Sequence, residues 1–354
     1  MSMDNQFAYR QNSSTTCLLI AMHIHIVDLL KVNSHVFLIS FDYSKAFDTL
    51  AHGPLVDKLS DLPDLPESSL NRIIDYLSNR KHIIHFQNED STPREINASI
   101  VQGSVLGPTL FNVNSCNLQP LSDLNAYFKY ADDGYLVIPG GNFASIPLEI
   151  EHHSKWADNF NLKLNVSKTN EIVFTNRNCP PVAPTPGVQR VETMKALGVI
   201  IDNKLKFQDH INYVTANCSQ TFFALRTLKH HGLSPDILRS IFKSTIIPKL
   251  LYAAPSFWGF LTASATNQLQ SVLNRAAKFN YYNKSDPDIT HLVLRMEMDL
   301  FHKIQINSDH ILYYLLPEKK NNKYNLRNFM QFKLPCKDDR KFINRMLFRS
   351  VRSQ

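Results

Sequence analysis

Residues 126–138 read AYFKYADDGYLVI. Tyr127, Phe128 and Tyr130 come before, and Tyr135 to Ile138 come after, three residues that cannot continue a buried run: Asp132, Asp133 and Gly134. Aromatic and β-branched residues favour strands, and Asp-Gly is a strong hairpin signal. The stretch therefore predicts two apolar strand arms around a tight Asp-Asp-Gly turn. Such a turn alone is ordinary hairpin chemistry. A second apolar run, HVFLISFDYS at 35–44, also ends on an acid, Asp42. Acids that end buried strands need a physical reason, and phosphoryl transfer supplies one. Two divalent cations, about 3.5–4 Å apart, must there be clamped by hard oxygen ligands. Magnesium prefers a few carboxylates plus substrate phosphates to an all-protein cage, so two or three acids suffice.

Around these acids the pattern is mixed. Residues 13–31, SSTTCLLIAMHIHIVDLLK, carry hydroxyl caps and then apolar positions at helical spacing, which predicts an amphipathic helix. SSLNRIIDYLSNR and HSKWADNFNLKL read as helices, KHIIHFQ and NEIVFTN as strands. A helix is expected to start at Thr109, after VQGSVLGP, and the four prolines of NCPPVAPTPG make a loop. Strands and helices follow without regular alternation, which favours α+β over a doubly wound sheet. Beyond about 208 the periodicity is helical. QDHINYVTANCSQTFFALRTLKHHG ends at a capping Gly232, and Ser234-Pro235-Asp236 opens the next helix with a hydroxyl cap, an N1 proline and an early acid. A third helix covers TNQLQSVLNRAAKFNYY. The expected division is 1–208, 209–290 as an all-helical domain, and 291–354 as a helical extension with a basic tail.

The chain of 354 residues carries a net charge of +7. From Lys319 to Gln354 eleven Lys or Arg stand against Asp338 and Asp339, so the tail holds +9 and residues 1–318 hold −2. Such a tail suits a polyanionic partner or a solvated surface equally. The sequence shows no uninterrupted run of roughly 20 apolar residues, nor the basic-then-apolar order of a signal peptide at its start. An intracellular protein without a membrane partner is expected. Cys17, Cys116, Cys179, Cys218 and Cys336 are too dispersed for paired metal ligands, and the histidine pairs His23/His25, His82/His85 and His152/His153 lack zinc-site spacing.

Five segments stand in order: FDYSKAFDT at 41–49, QGSVLGP at 102–108, YADD at 130–133, WADNFNLKLNVSKT at 156–169 and LGVIIDNKLKF at 197–207. One after another they resemble the palm motifs of the reverse transcriptases of non-LTR retrotransposons, jockey-like elements in particular. QFAYRQNSSTT resembles the family's segment before the first palm strand, and KLLYAAPSFWG with LQSVLNRAAKF resembles its thumb. The resemblance implies a right-hand polymerase of α+β class, with an antiparallel palm sheet, partial fingers and an all-helical thumb. It implies an RNA-directed DNA polymerase that adds deoxynucleoside triphosphates to a DNA primer on an RNA template, using two Mg2+ ions, with Mn2+ as the substitute, in a nuclear and cytoplasmic ribonucleoprotein.

Residue by residue, the resemblance makes Asp42, Asp132 and Asp133 the catalytic and metal-binding acids. The Tyr43 carbonyl helps hold the metal on the nucleotide side, and Phe47 matches an aromatic gate against the ribose 2′-hydroxyl, with a core aromatic as the plainer reading. Gln102, Gly103 and Tyr130 match positions at the nucleotide and template base. Lys168 matches a lysine near the leaving pyrophosphate, though an exposed lysine would look the same. Leu197 and Gly198 open a primer grip whose Leu197, Val199 and Ile201 alternate as any half-buried strand does. The basic finger strands that grip the triphosphate, and the endonuclease region, are expected from a longer, N-terminally extended element. The alternative is a decayed or domesticated copy acting as a non-catalytic RNA-binding protein.

Overall fold

The computed structural model describes residues 5–101, 103–176, 179, 181–319 and 332–352. It is an α+β structure in which a central sheet precedes a helical region. The first elements are α1 (Thr15–Val32), β1 (His35–Phe41), β2 (Tyr43–Ser44), α2 (Ala46–Thr49), α3 (His52–Ser60) and α4 (Glu67–Leu77). Four short strands follow, β3 (Arg80–His82), β4 (His85–Phe86), β5 (Glu89–Asp90) and β6 (Arg94–Ile96), then α5 (Leu106–Ser115), β7 (Ala126–Tyr130), β8 (Asp133–Pro139) and α6 (Ile146–Asn159). Next come β9 (Lys163–Leu164), β10 (Asn170–Thr175), β11 (Gln189–Arg190), β12 (Thr193–Ala196) and β13 (Val199–Asp202). The helices α7 (Gln208–His230), α8 (Pro235–Leu251), α9 (Ala254–Phe257), α10 (Ala263–Lys278), α11 (Ile289–Ile306) and α12 (Phe342–Arg352) complete the described chain.

The chain forms two compact units. One comprises Met1–Arg10, Phe37–Glu171 and Pro180–Arg190; the other comprises Gln11–Val36, Ile172–Cys179 and Val191–Gln354. The units do not divide at the expected 208/209 boundary, because α1 and the β12–β13 hairpin belong with the later helices.

The main sheet runs β11-β10-β1-β8-β7. Strand β1 is HVFLISF, with Val36 to Ile39 and Phe41 buried, and β8 is buried from Gly134 onward. Such apolar continuity marks strands covered on both faces. β7 and β8 pair antiparallel, whereas the two-residue β11 joins β10 in parallel. Glu171, fully buried, accepts from Arg190 Nε at 2.8 Å, and that guanidinium also donates to the Val182 and Ala183 carbonyls at 2.5 and 2.8 Å. This buried pair folds the proline-rich loop, whose prolines cannot donate hydrogen bonds of their own.

Several elements differ from expectation, each for a local reason. Helix α1 is buried on nearly every side from Cys17 to Val27 rather than along one stripe. It is long and apolar enough to cross a membrane by length and composition, but burial in the second unit explains that composition. KHIIHFQ is broken between β3 and β4, with Ile84 and Phe86 exposed and Gln87 at φ +55°. α6 begins at Ile146 and ends at Asn159, so NLKL leaves the helix and enters β9. α5 begins at Leu106, which puts Gly107 and Pro108 in its first turn, where proline's missing N–H costs nothing.

The second unit follows the capping signals closely. α7 ends near Gly232 at φ +87°, and Ser234 caps α8 by accepting from the Ile237 amide at 3.4 Å, with proline at N1. α7 packs on α8, α10 and β13, and α1 packs on α9. His23 of α1 is buried against the Ser256 carbonyl at 2.9 Å, and burial pushes its imidazole down to about 4, a neutral core histidine.

Candidate active site

The acid at the end of β1 is held by its backbone. The Asp42 carbonyl accepts from the Asn165 amide at 2.8 Å, and the next residues pair antiparallel with β9, Tyr43 against Leu164 and Ser44 against Lys163. Asp42 is thus fixed between a buried strand and a short ladder. The turn that follows β9 places Lys168 Nζ 3.7 Å from Asp42 Oδ2, with the side chains 69% and 42% exposed. At that exposure the attraction is screened and contributes little stability. Its effect is to keep a cation beside the carboxylate.

The two other acids come from the hairpin, with its turn one residue earlier than expected. Tyr130 pairs with Asp133, so Ala131 and Asp132 form the loop and Asp133-Gly134 begin β8. Ala131 takes a left-handed φ of +55°. Gly134 lies opposite Lys129, and a Cβ there would run into the buried Tyr127 ring and force it to move. β1 and β8 are neighbours in the sheet, and the acids at their ends repel one another. Desolvation, then Asp132 and then Asp42, push the Asp133 carboxyl up to about 6. Desolvation foremost, together with the Asp42 charge, also raises Asp132.

Carboxyls whose protons are held back by burial and by neighbouring negative charge are what a divalent cation relieves. Asp42, Asp132 and Asp133, with the Tyr43 carbonyl, fit Mg2+ in kind. Among the described residues no three His, Cys, Asp or Glu side chains converge as a ready-made metal cage. A site completed by substrate phosphates needs none.

The remaining candidates sit in varied settings. Phe47, half-buried in α2, stacks on Phe111 of α5 with centroids 4.5 Å apart and planes at 22°. Tyr43 is buried and meets Trp156 edge-on at 5.7 Å, so only its backbone is available to a ligand. Gly103 takes φ +81° with open space where a Cβ would stand, which suits close approach of another molecule. Gln102 lies outside the described residues. Tyr130 ends β7 opposite Asp133. In the second unit, Leu197 and Gly198 form the two-residue turn between β12 and β13, with φ +45° and +84°. Leu197 is therefore a turn residue, whereas Val199 and Ile201 are fully buried as expected. Tyr252, quoted above only within the segment KLLYAAPSFWG, donates its hydroxyl to the Leu197 carbonyl at 2.8 Å and braces that turn.

Residues 2–201 match the family model described as reverse transcriptase (RNA-dependent DNA polymerase). The chain belongs to the reverse transcriptase family. Within it, the chain is similar to the reverse transcriptases of non-LTR retrotransposons. It is 28% identical over 296 residues to the probable RNA-directed DNA polymerase from transposon BS of Drosophila melanogaster, covering 78% of this chain and 32% of that protein. It is 26% identical to the polymerase from the X-element, covering 78% and 31%, and 26% identical to that from jockey, covering 65% and 26%, both from the same fly. The chain thus spans about a third of the length of these relatives. Among solved structures, apo telomerase from Candida tropicalis aligns over 89% of this chain and 58% of its own, with TM-score 0.42 and 9% identity.

Proposed function

We propose that this chain carries the metal-binding palm of an RNA-directed DNA polymerase that adds deoxynucleotides to a primer 3′ end. The observation that carries the reading is the placement of Asp42 just after β1 and of Asp132 and Asp133 at the start of the neighbouring β8, with Asp133 pushed up to about 6 by its surroundings. Two Mg2+ ions, when bound, supply the positive charge that stabilises the attacking and leaving oxygens. Asp42 and Asp132 would hold that pair from two separately anchored backbones, and Asp133 would add charge from the first residue of β8. Lys168, 3.7 Å from Asp42, offsets charge on the departing pyrophosphate or gives it a proton. The helices after residue 208 act as the thumb, and the Leu197–Gly198 turn steadies the primer end.

The test is extension of a DNA primer annealed to an RNA template, with deoxynucleoside triphosphates and Mg2+. Template-directed addition is expected. Tight duplex binding with no addition would instead support a non-catalytic RNA-binding protein.

Phe47 gives a sharper expectation. As a gate, its half-buried ring blocks the 2′-hydroxyl of a ribonucleotide, and steric discrimination of this size is worth about 1–3 kcal/mol. Phe47→Val should raise the ribonucleotide-to-deoxynucleotide incorporation ratio roughly 10-fold or more. The stack on Phe111 predicts some lost stability as well. Equal loss of both incorporations, with the ratio unchanged, would make the ring a packing residue.

A further inference from the structure

We propose that Gln6 is a positioning residue that fixes the turn carrying Asp132. The segment around Gln6 lies along the outer edge of β7. The Lys129 amide donates to the Asn5 carbonyl at 2.7 Å and the Phe7 amide to the Lys129 carbonyl at 2.8 Å, a parallel bridge between Gln6 and Lys129. The segment is held elsewhere too: Asn112 Nδ2 donates to the Ala8 carbonyl at 3.0 Å, and Asn5 Nδ2 donates to Gln119 Oε1 at 2.8 Å. These anchors do not involve the Gln6 side chain.

That side chain is 1% exposed and turns toward the hairpin. Its Oε1 accepts from the Ala8 amide at 3.0 Å and from the Ala131 amide at 3.1 Å, and its Nε2 donates to Ser115 Oγ at 3.4 Å. Ala131 is the left-handed residue directly before Asp132. An L-residue other than glycine in that conformation is disfavoured, and the surroundings must hold it there. Gln6 contributes to this by satisfying the Ala131 amide, which sets the direction in which the chain delivers Asp132. A carboxylate displaced by as little as about 1 Å loses much of its value in such a site.

The contact stands on geometry, while its catalytic consequence rests on the polymerase reading above. The two are separated by measuring, on the full chain, hydrogen exchange of the Ala131 amide and Mn2+ affinity alongside primer extension. Gln6→Met keeps the length and apolar body of the side chain and removes the acceptor. It should speed Ala131 exchange about tenfold, as loss of one hydrogen bond allows, weaken Mn2+ binding several-fold, and lower kcat with KM for the nucleotide nearly unchanged. Ser115→Ala removes the acceptor of the Gln6 Nε2 hydrogen bond and should leave Ala131 exchange and Mn2+ affinity in place. If Gln6→Met does not fold, Gln6→Asn, one methylene short of Ala131, should move the same readouts in the same direction. Unchanged Ala131 exchange and Mn2+ affinity in a folded Gln6 variant would overturn the proposal. A wild-type chain that neither binds Mn2+ nor extends a primer would overturn the polymerase reading instead, with Ala131 exchange still deciding the role of Gln6.

Discussion

Asp132→Asn is expected to lower the rate of nucleotide addition by about 10³-fold, with primer-template affinity nearly intact. The amide keeps the shape of the side chain and removes the charge. Losing one ligand of a metal pair forfeits several kcal/mol of transition-state stabilisation, at 1.36 kcal/mol per tenfold. The same change should not destabilise the fold. Asp133 is raised from its ordinary 3.8 to about 6, with repulsion from Asp132 and Asp42 among the causes. A carboxyl raised in the folded state costs nothing at pH well below 3.8 and its full penalty above about 6. At neutral pH the substitution removes part of that repulsion, so the melting temperature should stay level or rise. A fall in activity with a matching fall in stability would mean that Asp132 serves the fold.

The largest effect on stability should come from the second unit. Glu297 of α11 is fully buried and receives Arg345 Nε at 3.0 Å, Arg345 Nη2 at 2.5 Å and Arg349 Nη1 at 2.5 Å. Arg345 is 4% exposed and also donates to the carbonyls of Asp339 at 2.6 Å and Pro255 at 3.2 Å. Glu297→Ala leaves a buried guanidinium without its counter-charge, a loss of about 3–5 kcal/mol. Replacing both partners by methionine should cost much less, because neither charge is then stranded. Denaturant unfolding checks both, and a Glu297→Ala cost near zero would show that α12 is not held by this cluster. The pairing also bears on the basic tail. Lys333, Lys337, Arg340 and Lys341 lie beside Glu318, Asp339, Asp338 and Asp28, and Arg345 and Arg349 both meet Glu297. Arg345 and Arg349 are taken up by the fully buried Glu297, whereas the exposed pairs of Lys333 and Lys337 are screened and leave those charges open to solvent.

The sequence conveyed what depends on near neighbours. HVFLISF became β1, the apolar arms became β7 and β8, and Ser234-Pro235-Asp236 opened α8, because propensity, capping and burial agree there. The order of five motifs singled out acids that stand at the ends of the neighbouring strands β1 and β8. Contacts between distant residues were not legible. Gln6 has no local signal that it will meet Ala131, 125 residues later, and Tyr252 none that it will brace Leu197. The hairpin turn was misplaced by one residue because Asp-Gly favours turns, while a left-handed Ala131 held from outside does not announce itself. Helix α1 looked amphipathic because its histidines count as polar, although His23 is buried and neutral. Nor does the tail announce that Arg345 will meet Glu297, 48 residues earlier.

The central claim is that Asp42 and Asp132 together hold divalent cations for phosphoryl transfer. Anomalous scattering from crystals grown with primer-template, a non-hydrolysable deoxynucleotide and Mn2+ addresses it directly. The account predicts two manganese peaks about 3.5–4 Å apart, bridged by the carboxylates of Asp42 and Asp132 at about 2.0–2.2 Å, close to the distance expected for Mg2+. Manganese bound elsewhere, or in contact with only one of these acids while the nucleotide is in place, would contradict it.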